Sequence, residues 1–348
     1  MHWRGVLQLL TFTCLALLNG HVALLAQTAD GTLSSRCSLD TRPVDIRPKP
    51  EGPPTRVSVG FRLVDLTEVD DVKQTLEGDY AVRLTWQDES LSGYAGCELP
   101  LDKVWSPGIA FFNSGRLHTS HPREVTVSAG GRVRYLQRYF GSVASYHNLK
   151  DFPFDRQSFI ITLAPVDLPA TQVELVVDEE FTGIRDRLNI SDWVVGSVRG
   201  YTEPRTFDAY NLVHSSYNFE IEATRITSYY VWKIFLPLVL IVIMSWFAFW
   251  IAPVNLPEQI TLSSTSFLTL IAFLFATSSM VPKLGYFTRL DWFILGSTIT
   301  VFLALLESVV TGILVSKGHV QQSLRIDYVC RGLFPLAFVI FLIVVVAG

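Results

Sequence analysis

DFPFDRQSF (residues 151–159) sets Pro153 between Phe152 and Phe154, follows them with an aspartate and then enters apolar chain. Pro153 has no N–H and disfavours a helical residue before it, so the order predicts a fixed turn that feeds a strand. Two aromatic side chains then stand on a turn. They suggest a surface that awaits something apolar, and the question is what that is.

Downstream the composition changes. Up to about residue 226 the chain is mixed and turn-rich, whereas from Ser228 to Gly348 it is mostly Leu, Ile, Val, Phe and Trp. The whole is 49% hydrophobic and 17% charged, with a mean hydropathy of +0.33, more apolar than an ordinary soluble protein. This step predicts a soluble domain, residues 55–226, joined to a membrane domain, residues 227–348. Four segments are long enough to span, since about 20 helical residues cross a bilayer core. They are YYVWKIFLPLVLIVIMSWFAFWIA (229–252), ITLSSTSFLTLIAFLFATSSMV (260–281), and the runs at about 291–316 and 328–347. The connector between the third and fourth, SKGHVQQSLRIDY, holds Lys317 and Arg325, with Arg331 just beyond. Positive residues favour the cytoplasm, which puts this connector inside and both termini outside.

Upstream of the turn, short segments alternate with period two. Val57, Val59, Phe61 and Leu63 do so, then Tyr80, Val82, Leu84 and Trp86, and later Tyr217, Phe219, Ile221 and Ala223. Phe159, Ile161 and Leu163, then Val173, Leu175 and Val177, add two more. Many short alternating strands between Gly, Pro and Asp turns predict an all-β, immunoglobulin-like sandwich.

The second span differs from the others. Thr261, Thr265, Leu268, Ala272 and Phe275 are spaced four, three, four and three apart, so all lie on one helical face, and Glu258 extends the stripe at its inner end. Ile260, Leu262, Phe267, Leu270 and Ile271 flank it and are apolar enough to pack on neighbours. Polar residues at membrane depth face protein or water. Hydroxyls that bond back to carbonyls of their own helix are the plain alternative. With an acid in line with the hydroxyls, the stripe reads as the face of a pore helix over about 258–281, and since one stripe cannot enclose water, several subunits must contribute one each.

The first residues, MHWRGVLQLLTFTCLALLNGHVALLAQ (1–27), predict a cleaved secretory signal, with an uncleaved anchor helix as the rival; either places the next domain outside the cytoplasm. RPVDIRPKPEGPPTR (42–56) is proline-rich and reads as an extended arm within residues 28–54. Of the four cysteines, Cys14 lies in the signal and Cys330 at the start of the last apolar run. Cys37 and Cys97 remain for one disulfide in an oxidising space. A net charge of −4 and no basic patch give nothing for nucleic acid to bind. There is no glycine-rich phosphate loop and no nucleophile elbow, and the two histidines of RLHTSHP (116–122) have no Cys or carboxylate cluster to complete a metal site. No enzyme, metal or cofactor is expected. Glu307, within the third span, is a membrane carboxylate that lines a crevice or pairs between helices.

WQD (86–88), VWSP (104–107), FPFDRQ (152–157), TSYYVWKIFLPL (227–238) and the span with Glu258 occur in an order that resembles the pentameric ligand-gated ion channels, the Cys-loop receptor superfamily, over about residues 55–348. The resemblance implies a homopentamer in which the FPFD loop hangs from the sandwich onto the membrane domain, so that Phe152 and Phe154 meet the segment between the second and third spans, near Pro282. Asp71 and Asp155 would approach Arg225 there to couple the two domains. The cysteines that flank this loop in eukaryotic members would fall at Ser145 and Phe159, and the inner connector of about ten residues is too short for the cytoplasmic domain of animal receptors. Both departures resemble the prokaryotic branch and imply an inner (cell) membrane.

By the same resemblance a ligand would bind between subunits, with Phe111 and Phe112 after VWSP, Arg83 on a neighbouring strand, and Tyr201, Phe207, Tyr210 and His214 on a capping loop; each could instead be a packing residue. His214, as a histidine, would let pH modulate opening. The expected function is a cation-selective channel passing Na⁺ and K⁺, opened by an extracellular small molecule or by protons. A non-conducting membrane receptor, or an anion-selective channel of the same fold, is the alternative; Pro257, beside the acid, resembles the anion-selective relatives.

Overall fold

The structure, a computed structural model, describes residue 37 and residues 44–207, 212–252, 254–278 and 283–347. The expected signal (1–27), most of the arm up to residue 43, Tyr210 and Pro282 lie outside the described residues.

Twelve strands form two sheets among the described residues. The larger contains β1 (Thr55–Asp70), β2 (Thr75–Gln87), β3 (Glu98–Pro100), β5 (Ser114–Thr119), β6 (Glu124–Ser128), β7 (Arg132–Ala144), β9 (Val173–Val177) and β10 (Gly183–Ile184). The smaller contains β4 (Ile109–Phe111), β8 (Arg156–Pro165), β11 (Trp193–Phe207) and β12 (Leu212–Arg225), in the order β11-β12-β8-β4. Alternation sends every second side chain to the inner face, so Val57, Val59, Phe61 and Leu63 of β1 are fully buried, as are Tyr217, Phe219 and Ile221 of β12. Phe61 meets Phe219 across the two sheets with ring centroids 4.5 Å apart. Residues 44–46 and 48–53 are turns and bends, which corrects the expected extended arm over its described part. Arg47 donates to the carbonyls of Pro50, Gly52 and Pro53 and curls the proline-rich run around its guanidinium. Cys37 and Cys97 are disulfide-bonded.

Four helices follow: α1 (Ser228–Trp250), α2 (Leu256–Thr277), α3 (Arg289–Ser316) and α4 (Val320–Ala347). All four are long and apolar enough to cross a membrane. Pro237 cannot donate into the first turns of α1, and just before it the helix widens, with the Leu236 N–H reaching Val231 O. α3 ends on Gly318 at φ 83°, with Gly318 N–H on Val315 O and His319 N–H on Leu314 O, both 2.9 Å. α4 then begins at Val320. The expected ten-residue connector is therefore only residues 317–319, because nothing in QQSLRID stops a helix. Gly296 lets α4 lie close to α3, since a Cβ there would sit 2.1 Å from the Phe341 ring.

Candidate pore face and domain junction

α2 has two polar faces. Gln259, Ser263, Ser266 and Leu270 are buried against the other helices, whereas Glu258, Thr261, Thr265, Leu268, Ala272 and Phe275 all face outward. On the buried face Gln259 donates to Ile251 O at 2.8 Å, and Ser263 meets Ser308 of α3 at 3.0 Å. Interhelical hydrogen bonds thus join α2 to its neighbours as well as apolar contact. The apolar flanks pack as well: Leu270 is buried, Phe267 meets Phe302 of α3, and Ile260, Leu262, Phe267 and Ile271 are half-buried. On the outward face Thr261 donates to Pro257 O at 2.6 Å and Thr265 to Thr261 O at 2.7 Å. The two readings of these hydroxyls therefore coexist: the protons go to the helix, and the oxygen lone pairs remain for the outward face.

The FPFD loop sits between sandwich and helices, and Phe152 is fully buried. Its ring meets Tyr230 at 4.8 Å and that of Phe154 meets Phe235 at 5.8 Å, both on α1. Both rings thus rest on α1, while Pro282, near which they were expected, lies outside the described residues; at the far end of the segment between α2 and α3 the loop backbone makes the contact. Arg289 N–H and Leu290 N–H, at the start of α3, donate to Lys150 O (3.0 Å) and Phe152 O (3.2 Å), while Leu149 N–H donates to Tyr286 Oη at 3.1 Å. The first N–H groups of a helix have no partner within it, and here the loop supplies two.

Beside the loop, Arg225 at the end of β12 is clamped. Its Nε donates to Asp155 Oδ1 at 2.7 Å and its Nη1 lies 2.8 Å from Asp71 Oδ2. The guanidinium carbon lies 4.2 Å from the Trp193 ring centroid and 4.8 Å from that of Phe152. Burial opposes the Arg225 charge, but the hydrogen bonds and charges of Asp155 and Asp71 outweigh it and raise its pKa above the ordinary value. For Asp71, burial alone would push the carboxyl up; hydrogen bonds from His147 and Arg225, with their charges, hold it below the ordinary range. His147 Nδ1 lies 3.2 Å from Asp71 Oδ1, and Gln157 donates to Asp155 Oδ2 at 2.6 Å. His147, Gln157 and Trp193 were not singled out from sequence, and their residue types alone carried no signal.

The expected ligand residues divide. Phe112 and Phe207 stack at 3.7 Å on the wall of a groove of about 740 Å³, shared with Arg205, Tyr146, Ile160 and Thr162. Tyr201 is half-buried on β11, beneath the Arg199 guanidinium at 5.4 Å. Phe111 is half-buried and packs against the sandwich core, 4.9 Å from Tyr139 and 6.2 Å from Phe61. Arg83 is bound within its own chain, with Nε 2.8 Å from Asp178 Oδ2 and the guanidinium 4.5 Å from the Phe181 ring. His214 is 1% exposed and donates from Nδ1 to Leu168 O at 3.1 Å, with its ring behind Phe207. Among the described residues no group of His, Cys, Asp and Glu could hold a metal ion.

Residues 35–228 match the neurotransmitter-gated ion-channel ligand binding domain, and residues 234–324 match the transmembrane region of the same channels. The chain belongs to this family. The channel is similar to a proton-gated ion channel of Gloeobacter violaceus, 26% identical over 293 residues that cover 82% of this chain and 81% of that one. It is also similar to an acetylcholine receptor subunit beta-like 1 of Drosophila melanogaster, 27% identical over 237 residues, 65% of this chain and 45% of that one. Membership makes it a gated ion channel and not an enzyme, with a multi-pass membrane domain and an N-terminal domain outside the cytoplasm.

Proposed function

We propose that five copies of this chain surround a cation-selective pore lined by α2 and opened from the extracytoplasmic side. The observation that carries this reading is the outward face of α2, which runs from Glu258 through Thr261 and Thr265 to Leu268, Ala272 and Phe275 while the opposite face is buried. Five Glu258 carboxylates make a negative ring at the inner mouth, and the threonine lone pairs replace part of a cation's hydration. Leu268 and Phe275, 69% and 77% exposed in the single chain, offer an ion nothing and close the pore by dewetting. Pro257 favours the anion-selective reading, but fixed charge in a narrow low-dielectric neck outweighs it. Na⁺ and K⁺ therefore permeate, and Cl⁻ does not. Reversal potentials in a salt gradient test this: a value tracking Cl⁻ would overturn the selectivity. Absence of current across a bilayer holding only this protein would favour the non-conducting receptor.

The stimulus is an extracellular small molecule or the proton. The name of the Gloeobacter relative supports the proton. The aromatic pair Phe112–Phe207 supports a small molecule, with Tyr201 and Tyr210 as further candidates and the neighbouring subunit completing the groove. Arg83, neutralised by Asp178, is withdrawn as an anion anchor. Asp71, Asp155, Arg225, Phe152, Phe154 and Pro282 carry the signal to the pore, in a cell (inner) membrane.

A further inference from the structure

Glu307 of α3 and Asp327 of α4 face each other within hydrogen-bonding reach. Both are buried, at 8% and 0% exposure, and none of their four carboxylate oxygens accepts a hydrogen bond from a described donor. The nearby hydroxyls are spent elsewhere: Thr311 donates to the backbone carbonyl of Glu307 at 3.0 Å, and Ser323 to Thr311 O at 3.2 Å. Arg331, one turn beyond Asp327, is the cation that acts on the pair, though its Nε donates to Phe249 O at 3.0 Å. The Cys330 thiol is the other ionisable neighbour, and no charged group of α1 or α2 acts on either acid. Glu307 stands nine residues before the inner end of α3, roughly 13 Å into the membrane domain at 1.5 Å per residue.

Two ionised carboxylates in contact, away from water and without a donor, repel each other and each lose hydration. One proton between them turns that repulsion into an acid–carboxylate hydrogen bond and leaves a single negative charge for Arg331 to balance. We infer that Glu307 and Asp327 form an intramembrane site that binds one proton and ties α4 to α3. The site is separate from the pore and from the domain junction, and it does not depend on which ion the channel passes. Its removal at high pH leaves two facing charges and loosens α4, the helix least covered by the rest of the chain.

Infrared spectroscopy of the full-length protein in lipid vesicles tests it. Wild type at neutral pH should show the carbonyl stretch of a protonated carboxylic acid, slow to exchange in deuterated buffer and lost as the pH is raised. Glu307→Gln should lose that band and Asp327→Asn should lose or shift it. The double variant should also lose the fall in melting temperature that wild type shows on the alkaline side. A wild type without the band overturns the site, and so does a band unchanged in both variants. A pair that instead held a divalent cation would lack the band and lose stability on chelation, which also overturns it. The wild-type titration stands even if one variant fails to assemble.

Discussion

A guanidinium held by two carboxylates between two rings has little water to fall back on, so Arg225 is sensitive to the loss of either acid. Breaking a buried ion pair costs about 3–5 kcal/mol. Arg225→Gln or Asp155→Asn is therefore expected to abolish the agonist response while the channel still reaches the surface; a wild-type dose–response at normal expression would refute the coupling role. Asp71 adds a pH statement with a definite sign. Its carboxyl is held below the ordinary value of 3.8, so its contribution is complete above that pH and is lost only as pH falls through the lower, folded value. Mild acid should leave this contact intact, and Asp71→Asn should alter the acid limb of stability only below about pH 4. Melting temperatures across pH 2–7 check it. At this scale the sequence was partly legible. The motifs pointed to Arg225 and its acids, but a ligand cation at Arg83 could not be told from a paired one, because Asp178 lies 95 residues away.

At the scale of an element, the proposed pore reading gives α2 the channel's selectivity and gate. Glu258→Gln should lower single-channel cation conductance by removing the negative ring, and Leu268→Ser should leave the pore leaking without agonist, because a hydroxyl rewets the constriction. Planar-bilayer recordings measure both, and a Leu268→Ser channel that stays shut would move the gate elsewhere. The outward stripe was readable because helical periodicity survives in the sequence. The polar buried face was not, since Ser263 becomes a packing residue only when Ser308 is brought to 3.0 Å from it. α4 was read too short for a related reason: hydropathy marks where a helix meets lipid, and QQSLRID continues as helix past that limit.

For the whole molecule, the Cys37–Cys97 bond closes a separation of 60 residues and ties the chain ahead of β1 to the sandwich. Loop-closure entropy puts its contribution at about 4 kcal/mol, so Cys97→Ser should lower the melting temperature of the purified channel while an intact pore still conducts. An unchanged melting temperature would show that the cross-link does not limit stability. What the sequence determined by itself was the division into a β-sandwich and four apolar helices, and the outward stripe of α2. Each follows from a repeating pattern of two or 3.6 residues, or from the length of an apolar run, and needs no knowledge of distant partners. Tertiary structure alone decided that the aromatics of the FPFD loop rest on α1, that His214 is buried and Phe111 packs on the sandwich core, and that Glu307 faces Asp327. Those facts depend on which residues folding brings into contact from far apart in the chain, and on whether water remains between them.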